Sequence, residues 1–266
     1  IPLAAFTKIA DWLAMEKLFI AFEEGIGSGA GTIYLDDIKF EEAPIVPIAV
    51  DNFNDMTGEN GLGGGLWADA GNGATIDAAH DPVNAYGNTG AGYRISYSGV
   101  TEYGWAAFGT NLVGLDASDC AALSFHIKGA NGGEKPNVYL SDGTIESFVN
   151  IEDHIIVTTS WQRVDILLED FAAKGIDFAN LAYFQVIFEW EGMEGTVYLD
   201  NIQFGSIFGD LDWDCIVDVA DIMMVASHWR CRCGDVCYDS LYDLDGDCDI
   251  DIVDIMLVVV HWGETC

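Results

Sequence analysis

The chain has 266 residues, half of them hydrophobic and 12% aromatic, enough for a full domain and something smaller beside it. Ten Lys and Arg stand against 44 Asp and Glu, a formal net charge of −34. That balance argues against nucleic acid and anionic membranes as partners, since both call for a basic surface; cations, neutral sugars or saline surroundings suit it. No apolar run approaches the ~18 residues of a membrane-crossing helix, so no membrane insertion is expected.

In chain order, the first segment anticipates a later one. TIYLDDIKF (32–40) returns as TVYLDNIQF (196–204), AMEKLFIAFEE upstream of it matches NLAYFQVIFEW, and Phe6 answers Phe171. Residues 1–42 are therefore expected to be the C-terminal fragment of a preceding domain, cut inside it or completing a sandwich in another molecule. Residues 43–47, with Pro44 and Pro47, form the linker, and 48–205 a complete domain of the same kind.

Within 48–205, YRISYSG, ALSFHIKG, NVYLSDG, RVDILL, YFQVIFEW and TVYLDNIQF alternate apolar and polar residues with a period near two. Gly- and Asn-rich turns separate them, and LEDFAAKG alone hints at a helical turn. The pattern predicts a mainly β fold, an antiparallel β-sandwich. Leu18, Ile20 and Phe22 meet Phe184, Val186 and Phe188 in the two copies, so that face is core and Gln185, Ile187 and Glu189 point outward. By the same alternation Leu123, Phe125 and Ile127 are core and Ser124, His126 and Lys128 lie outside; Trp161 is assigned to the core. A sugar site needs an aromatic plate for the apolar ring face and polar groups for hydroxyls. Tyr103, Trp105, Tyr139 and Trp190 are candidate plates, against ordinary packing as the alternative.

The run AGYRISYSGVTEYGWAAFGTNLVGLDASDCAALSFHIKG, followed by SWQRVDILLEDF and GTVYLDNIQF, resembles family 11 carbohydrate-binding modules and related β-sandwich sugar binders. The resemblance implies a jelly roll of the galactose-binding-like kind whose one concave sheet takes a single β-glucan chain. It places Tyr103 and Trp105 near one wall of that cleft, His126 and Tyr139 on central strands, and Gln185 and Glu189 beyond. It also implies a structural calcium ion at Asp51 and Asp200, where plain turn aspartates are the competing reading.

The last segment, 206–266, differs in character. Six of the seven cysteines (Cys215, Cys231, Cys233, Cys237, Cys248, Cys266) fall within it, the mark of disulfides made in an oxidising compartment; zinc at Cys231, Cys233 and Cys237 is the rival. GDLDWDCIVDVADIMMVASHW (209–229) recurs 33 residues later as YDLDGDCDIDIVDIMLVVVHW (242–262). On a calcium-loop template the first copy offers Asp210, Asp212, Asp214, the Ile216 carbonyl, Asp218 and Asp221. The second offers Asp243, Asp245, Asp247, the Asp249 carbonyl, Asp251 and Asp254. Hard oxygen donors from one tight loop suit Ca²⁺, and a bound ion relieves the repulsion among them.

Two such loops, each followed by one apolar helix, resemble the dockerin family, extracellular modules that fold on calcium and plug into cohesin domains of scaffolding proteins. The resemblance implies two Ca²⁺ ions, a cohesin-like partner, and contact positions at Val219, Ala220, Ala226, Ser227, Ile252, Val253, Val259 and Val260. These are apolar where many relatives carry hydroxyls and cations, so packing on the adjacent sandwich is an alternative. A helix over 219–229 holds Cys215 and Cys231 too far apart to be joined. With the two halves antiparallel, as the resemblance implies, Cys215 pairs with Cys266 and Cys248 with Cys231 or Cys233.

No HExxH, GxSxG or phosphate-loop constellation is present, and among so many acids a pair of carboxylates identifies no glycosidase. The chain reads as a non-catalytic extracellular pair of modules, one binding polysaccharide and one docking, with any hydrolase domain upstream. The alternative is a structural subunit of an extracellular fibre or surface layer, with residues 1–42 completing a neighbouring sandwich.

Overall fold

The computed structural model describes residues 47–265 apart from 89, 191–192, 213 and 240. The expectations for residues 1–42, for the start of the linker and for Cys266 lie outside the described residues. Eleven strands and three short helices follow in order among the described residues: β1 (Ile48–Asp51), β2 (Leu66–Gly71), β3 (Thr75–Asp81), β4 (Gly92–Val100), β5 (Trp105–Leu115), β6 (Ala122–Gly129), β7 (Asn137–Ser141), β8 (Glu146–Asn150), β9 (Gln162–Leu167), α1 (Leu168–Phe171), β10 (Leu181–Phe188), β11 (Met193–Gly205), α2 (Val219–Ser227) and α3 (Ile252–Val260).

The strands form two antiparallel sheets. One runs β3-β4-β11-β6-β9, with β1 paired to the far half of β11; the other runs β2-β5-β10-β7-β8. Alternation sends one side chain in two inward from each sheet. Phe125, Ile127, Leu199 and Phe204 of the first sheet thus share a core with Phe108, Val138, Phe184 and Phe188 of the second, and all are fully or almost fully buried. Rings lock across the interface: Tyr97 stacks on Phe188 at 3.6 Å and Phe125 meets Phe184 edge-on at 5.9 Å. Each predicted strand is present, and LEDFAAKG makes α1 and a 3-10 turn.

The C-terminal segment has its own small core of Ile207, Leu211, Val217, Val225, Cys231, Ile250 and Val258. Asp218 and Asp251 cap α2 and α3, each accepting the N–H two residues on, while Asp221 and Asp254 accept the N–H of the capping residue. The halves cross-pair: Val217 exchanges backbone hydrogen bonds with residues 263 and 264, and Ile250 with residues 230 and 231. Each loop therefore lies at the end of the other half's helix. Cys233 is joined to Cys248, one of the two expected pairings. Cys231 is joined instead to Cys237, six residues on in the same loop. These bonds occupy all three thiols of the zinc alternative.

Candidate functional site

The five-stranded sheet turns a row of side chains outward. Cross-strand register aligns Trp67 (β2), Gly109 (β5), Gln185 (β10), Tyr139 (β7) and Phe148 (β8). Four strand spacings make this row about 19 Å across. Glycine is required at its second position, because a Cβ on Gly109 would sit 2.2 Å from the Trp67 ring. Trp105 lies over Gly71 in the same way, at 2.5 Å from its hypothetical Cβ. Phe148 stacks on Tyr139 at 4.9 Å.

Polar groups are set between these rings. The Tyr139 hydroxyl donates to Glu189 (2.5 Å), as does the Asn137 amide (3.1 Å). The Tyr183 hydroxyl donates to Glu146, and Gln185, almost wholly buried, reaches the same carboxylate. Burial, and then Glu189, push the Tyr139 phenol pKa well up, so it is a neutral donor at any working pH. Flat apolar rings beside fixed donors and acceptors offer what the two faces of a sugar ring need.

Of the seven residues expected at one cleft, Trp105, Tyr139 and Gln185 share this sheet, and Glu189 follows the end of β10 and bonds Tyr139. Tyr103 precedes β5 and Trp190 follows β10, both largely exposed. His126 does not belong with them. It sits on β6, in the opposite sheet, and alternation turns it away from the shared core on the far side of the sandwich. Trp67, Phe148 and Tyr183 were missed by sequence reasoning; glycines inside strands, as at 109, were the available signal of a close approach.

The far face carries two more corrections. Trp161, assigned to the core, is only half-buried, lies edge-on to Tyr86 and has the Lys128 ammonium 4.9 Å from its ring. Tyr86 stacks on His126 at 3.6 Å. Ser124 and His126 face outward as expected; Ser124 is buried beside Arg163 and His126 is half-buried.

Both aspartate loops gather carboxylates. Asp210, Asp212 and Asp221 bring ligand oxygens within 4.8 Å of one another, and so do Asp243, Asp245 and Asp254. Asp221 and Asp254 are fully buried, and each takes backbone N–H groups from its own loop (Leu211 and Asp212; Leu244 and Asp245). Burial, then the neighbouring carboxylates, raise the pKa of Asp212, whose Oδ1 is buried without a partner. The Asp245 pKa is pushed up to about 6, chiefly by burial. A clustered set of hard oxygens with an orphaned acceptor fits a divalent cation such as Ca²⁺. Of the other expected ligands, Asp214 and Asp247 accept from the N–H of residues 216 and 249, and Asp218 and Asp251 are the helix caps.

Asp51 and Asp200 form a further acidic pair, in the sandwich. Both are buried, both have a pKa pushed up to about 6 mainly by burial, and Asp51 adds to the rise at Asp200. Asp51 Oδ1 accepts from Phe53 and Asp200 from Tyr86 and Asn201, while Asp51 Oδ2 has no partner. The expected contact residues on α2 and α3 stand open: Val219, Ile252, Val253, Val259 and Val260 are 44–73% exposed, Ala226 and Ser227 are exposed and Ala220 half-buried. They do not pack on the sandwich.

A family profile described as carbohydrate binding domain 30 matches residues 55–206. Among solved structures, the chain is similar to the family 11 carbohydrate-binding module of the cellulosomal cellulase Lic26A-Cel5E of Clostridium thermocellum. The two share 18% identity with a TM-score of 0.50, over 61% of this chain and 96% of that one. The family 30 module of the cellulosomal cellulase Cel9D-Cel44B of the same organism aligns at 21% identity and TM-score 0.49, over 60% of this chain and 96% of that one. At 18% identity the likeness to the family 11 module bears on fold alone. No curated protein sequence matches the chain.

Proposed function

The chain belongs to carbohydrate binding domain family 30, a binding rather than a catalytic family, and from that premise we propose that it grips one β-glucan-like chain along its five-stranded sheet. The observation that carries this reading is the row Trp67, Gln185, Tyr139 and Phe148, with Trp105 beside it. Rings supply faces for successive sugars, while Gln185, Asn137 and the two glutamates bond hydroxyls.

The C-terminal segment acts as a dockerin. Each aspartate loop holds one Ca²⁺, and the uncovered apolar positions of α2 and α3 present the face for a cohesin-like scaffold domain. A further calcium ion bridges Asp51 and Asp200. The two disulfides support an extracellular setting, in which the protein tethers a polysaccharide-degrading assembly to its substrate.

Native affinity electrophoresis of the full chain through gels carrying mixed-linkage β-glucan, xylan or pectin tests the first part. Retardation by the glucan is expected, with at least tenfold weaker binding in Trp67→Ala and Trp105→Ala. Free migration of folded protein through every gel would sink it. Calorimetric titration with Ca²⁺ alone tests the second, with two tight loop sites expected beside the one at Asp51 and Asp200, and both loop sites lost in Asp221→Ala/Asp254→Ala.

A further inference from the structure

The two copies of the 33-residue repeat keep the same aspartates at loop positions 1, 3, 5, 9 and 12 but differ at the fourth, Trp213 in the first and Gly246 in the second. A Cβ on Gly246 would lie 3.3–3.4 Å from the ring and hydroxyl of Tyr86. Tyr86 in turn donates its hydroxyl to the Leu244 carbonyl (3.3 Å) and its N–H to Asp200 (2.8 Å). A tryptophan has no room there. The second loop is therefore seated on Tyr86, in the turn between β3 and β4, through a contact that its glycine admits.

That seating encloses a cleft. Two adjoining cavities of about 440 and 460 Å³, in the range of small-molecule sites, share Tyr86, His126, Arg163 and Phe208. Trp161 closes one and Gln203 the other. The Arg163 guanidinium is already engaged by Asp165 at 2.8 Å, and the calcium-loop residues Asp243, Asp245 and Asp247 line the cavities together with Asp200 and Asp239, so an anion is disfavoured. His126 Nδ1 is buried with no hydrogen-bond partner. Leaving such an atom bare is costly, and native structures rarely do so. Burial, with Arg163, holds this imidazole neutral, its pKa down at about 3.

We propose that this cleft is a second carbohydrate site, separate from the five-stranded sheet, which takes the end of a neutral sugar chain. Tyr86 and Trp161 face the apolar side of the ring, and His126 Nδ1 bonds a hydroxyl. The choice of a glucan end rests on the reading of the chain as a glucan binder; the site itself does not.

Fluorine NMR of the full calcium-loaded chain carrying 5-fluorotryptophan reads both sites at once, each signal assigned by a Trp→Phe substitution. Cellobiose and laminaribiose are the probes. The Trp161 signal is expected to shift saturably with one of them, and still to do so in Trp67→Ala/Trp105→Ala. Gly246→Trp should abolish that shift while leaving the response of Trp67 to cellohexaose. His126→Leu, which keeps the second loop seated, should raise the dissociation constant read at Trp161 at least tenfold. A Trp161 signal unmoved by both disaccharides in folded protein overturns the proposal, as does an undiminished shift in His126→Leu. If instead Trp67 and Trp105 ignore cellohexaose, the glucan platform fails whatever Trp161 does.

Discussion

The sandwich and the C-terminal segment are held together by different means. The sandwich buries a continuous apolar core between two sheets, with seven phenylalanines among its fully buried side chains. The segment, among its described residues, has seven buried core residues, two disulfides and two nests of carboxylates. Apolar burial stabilises at about 25 cal/mol per Å² without help from solutes. Gathered aspartates repel until a cation joins them. With the ions proposed for the aspartate loops, one region carries its stability within itself and the other depends on what the medium supplies.

Chelation is the largest lever on that contrast. Two ions each present at a hundredfold excess over their dissociation constants stabilise by about 5 kcal/mol together. Removing them at neutral pH should strip amide-exchange protection from α2 and α3 while β10 and β11 stay protected. Equal loss in both regions would break the comparison. Asp221→Ala acts on one loop. It leaves the N–H groups of Leu211, Asp212 and Asp218 without their acceptor, at a cost of about 3 kcal/mol. The expected reading is one calcium lost by titration and a destabilised α2, with the melting of the sandwich unchanged.

How much of this was legible in the sequence follows the range of the interactions. The aspartate loops were legible because their donors lie within twelve residues of one another, so spacing alone brings them together. The strands were legible where alternation was clean. Leu66–Gly71 was missed because alanine, aspartate and glycine dilute the pattern at a sheet edge. His126 shows the limit of alternation, which tells which way a residue points from its own strand but not which sheet that strand has joined. Trp161 was misplaced for the complementary reason: an aromatic at a strand's start reads as core unless the chain covering it from outside is known. The Cys231–Cys237 bond was open to the same blindness, since helix length excludes long spans and is silent about a turn of six residues.

The sandwich has one place that behaves like the segment, and pH exposes it. Asp51 and Asp200 have folded pKa values of about 6 against 3.8 for the free side chain. Between those values the folded state binds more protons than the unfolded one, so stability is present below pH 4 and falls as pH rises through 6. A shift of that size corresponds to about 3 kcal/mol for one such carboxyl group. In chelator, the melting of the sandwich should decline across that window, and Ca²⁺ should restore it above pH 6. Asp51→Asn should flatten the decline; a profile that rises across the window would show that the pair is held ionised by the protein itself.

The smallest effect is expected where a carboxylate is neither buried nor clustered. Asp77 meets Arg94 at 2.9 Å, but its side chain is 73% exposed. Water screens such a pair, and exposed ion pairs contribute about 0.2–1 kcal/mol at most. Arg94 also keeps its bond to Ser96 when Asp77 is gone. Against that small loss, Asp77→Ala lifts one negative charge from a chain at −34, where self-repulsion already opposes the compact state. The two should nearly cancel at physiological salt, leaving a melting shift within about 2 °C. At low salt the repulsion is less screened and the variant should match or exceed the parent. A clear loss there would mean that position, and not burial, decides what an aspartate costs in this protein.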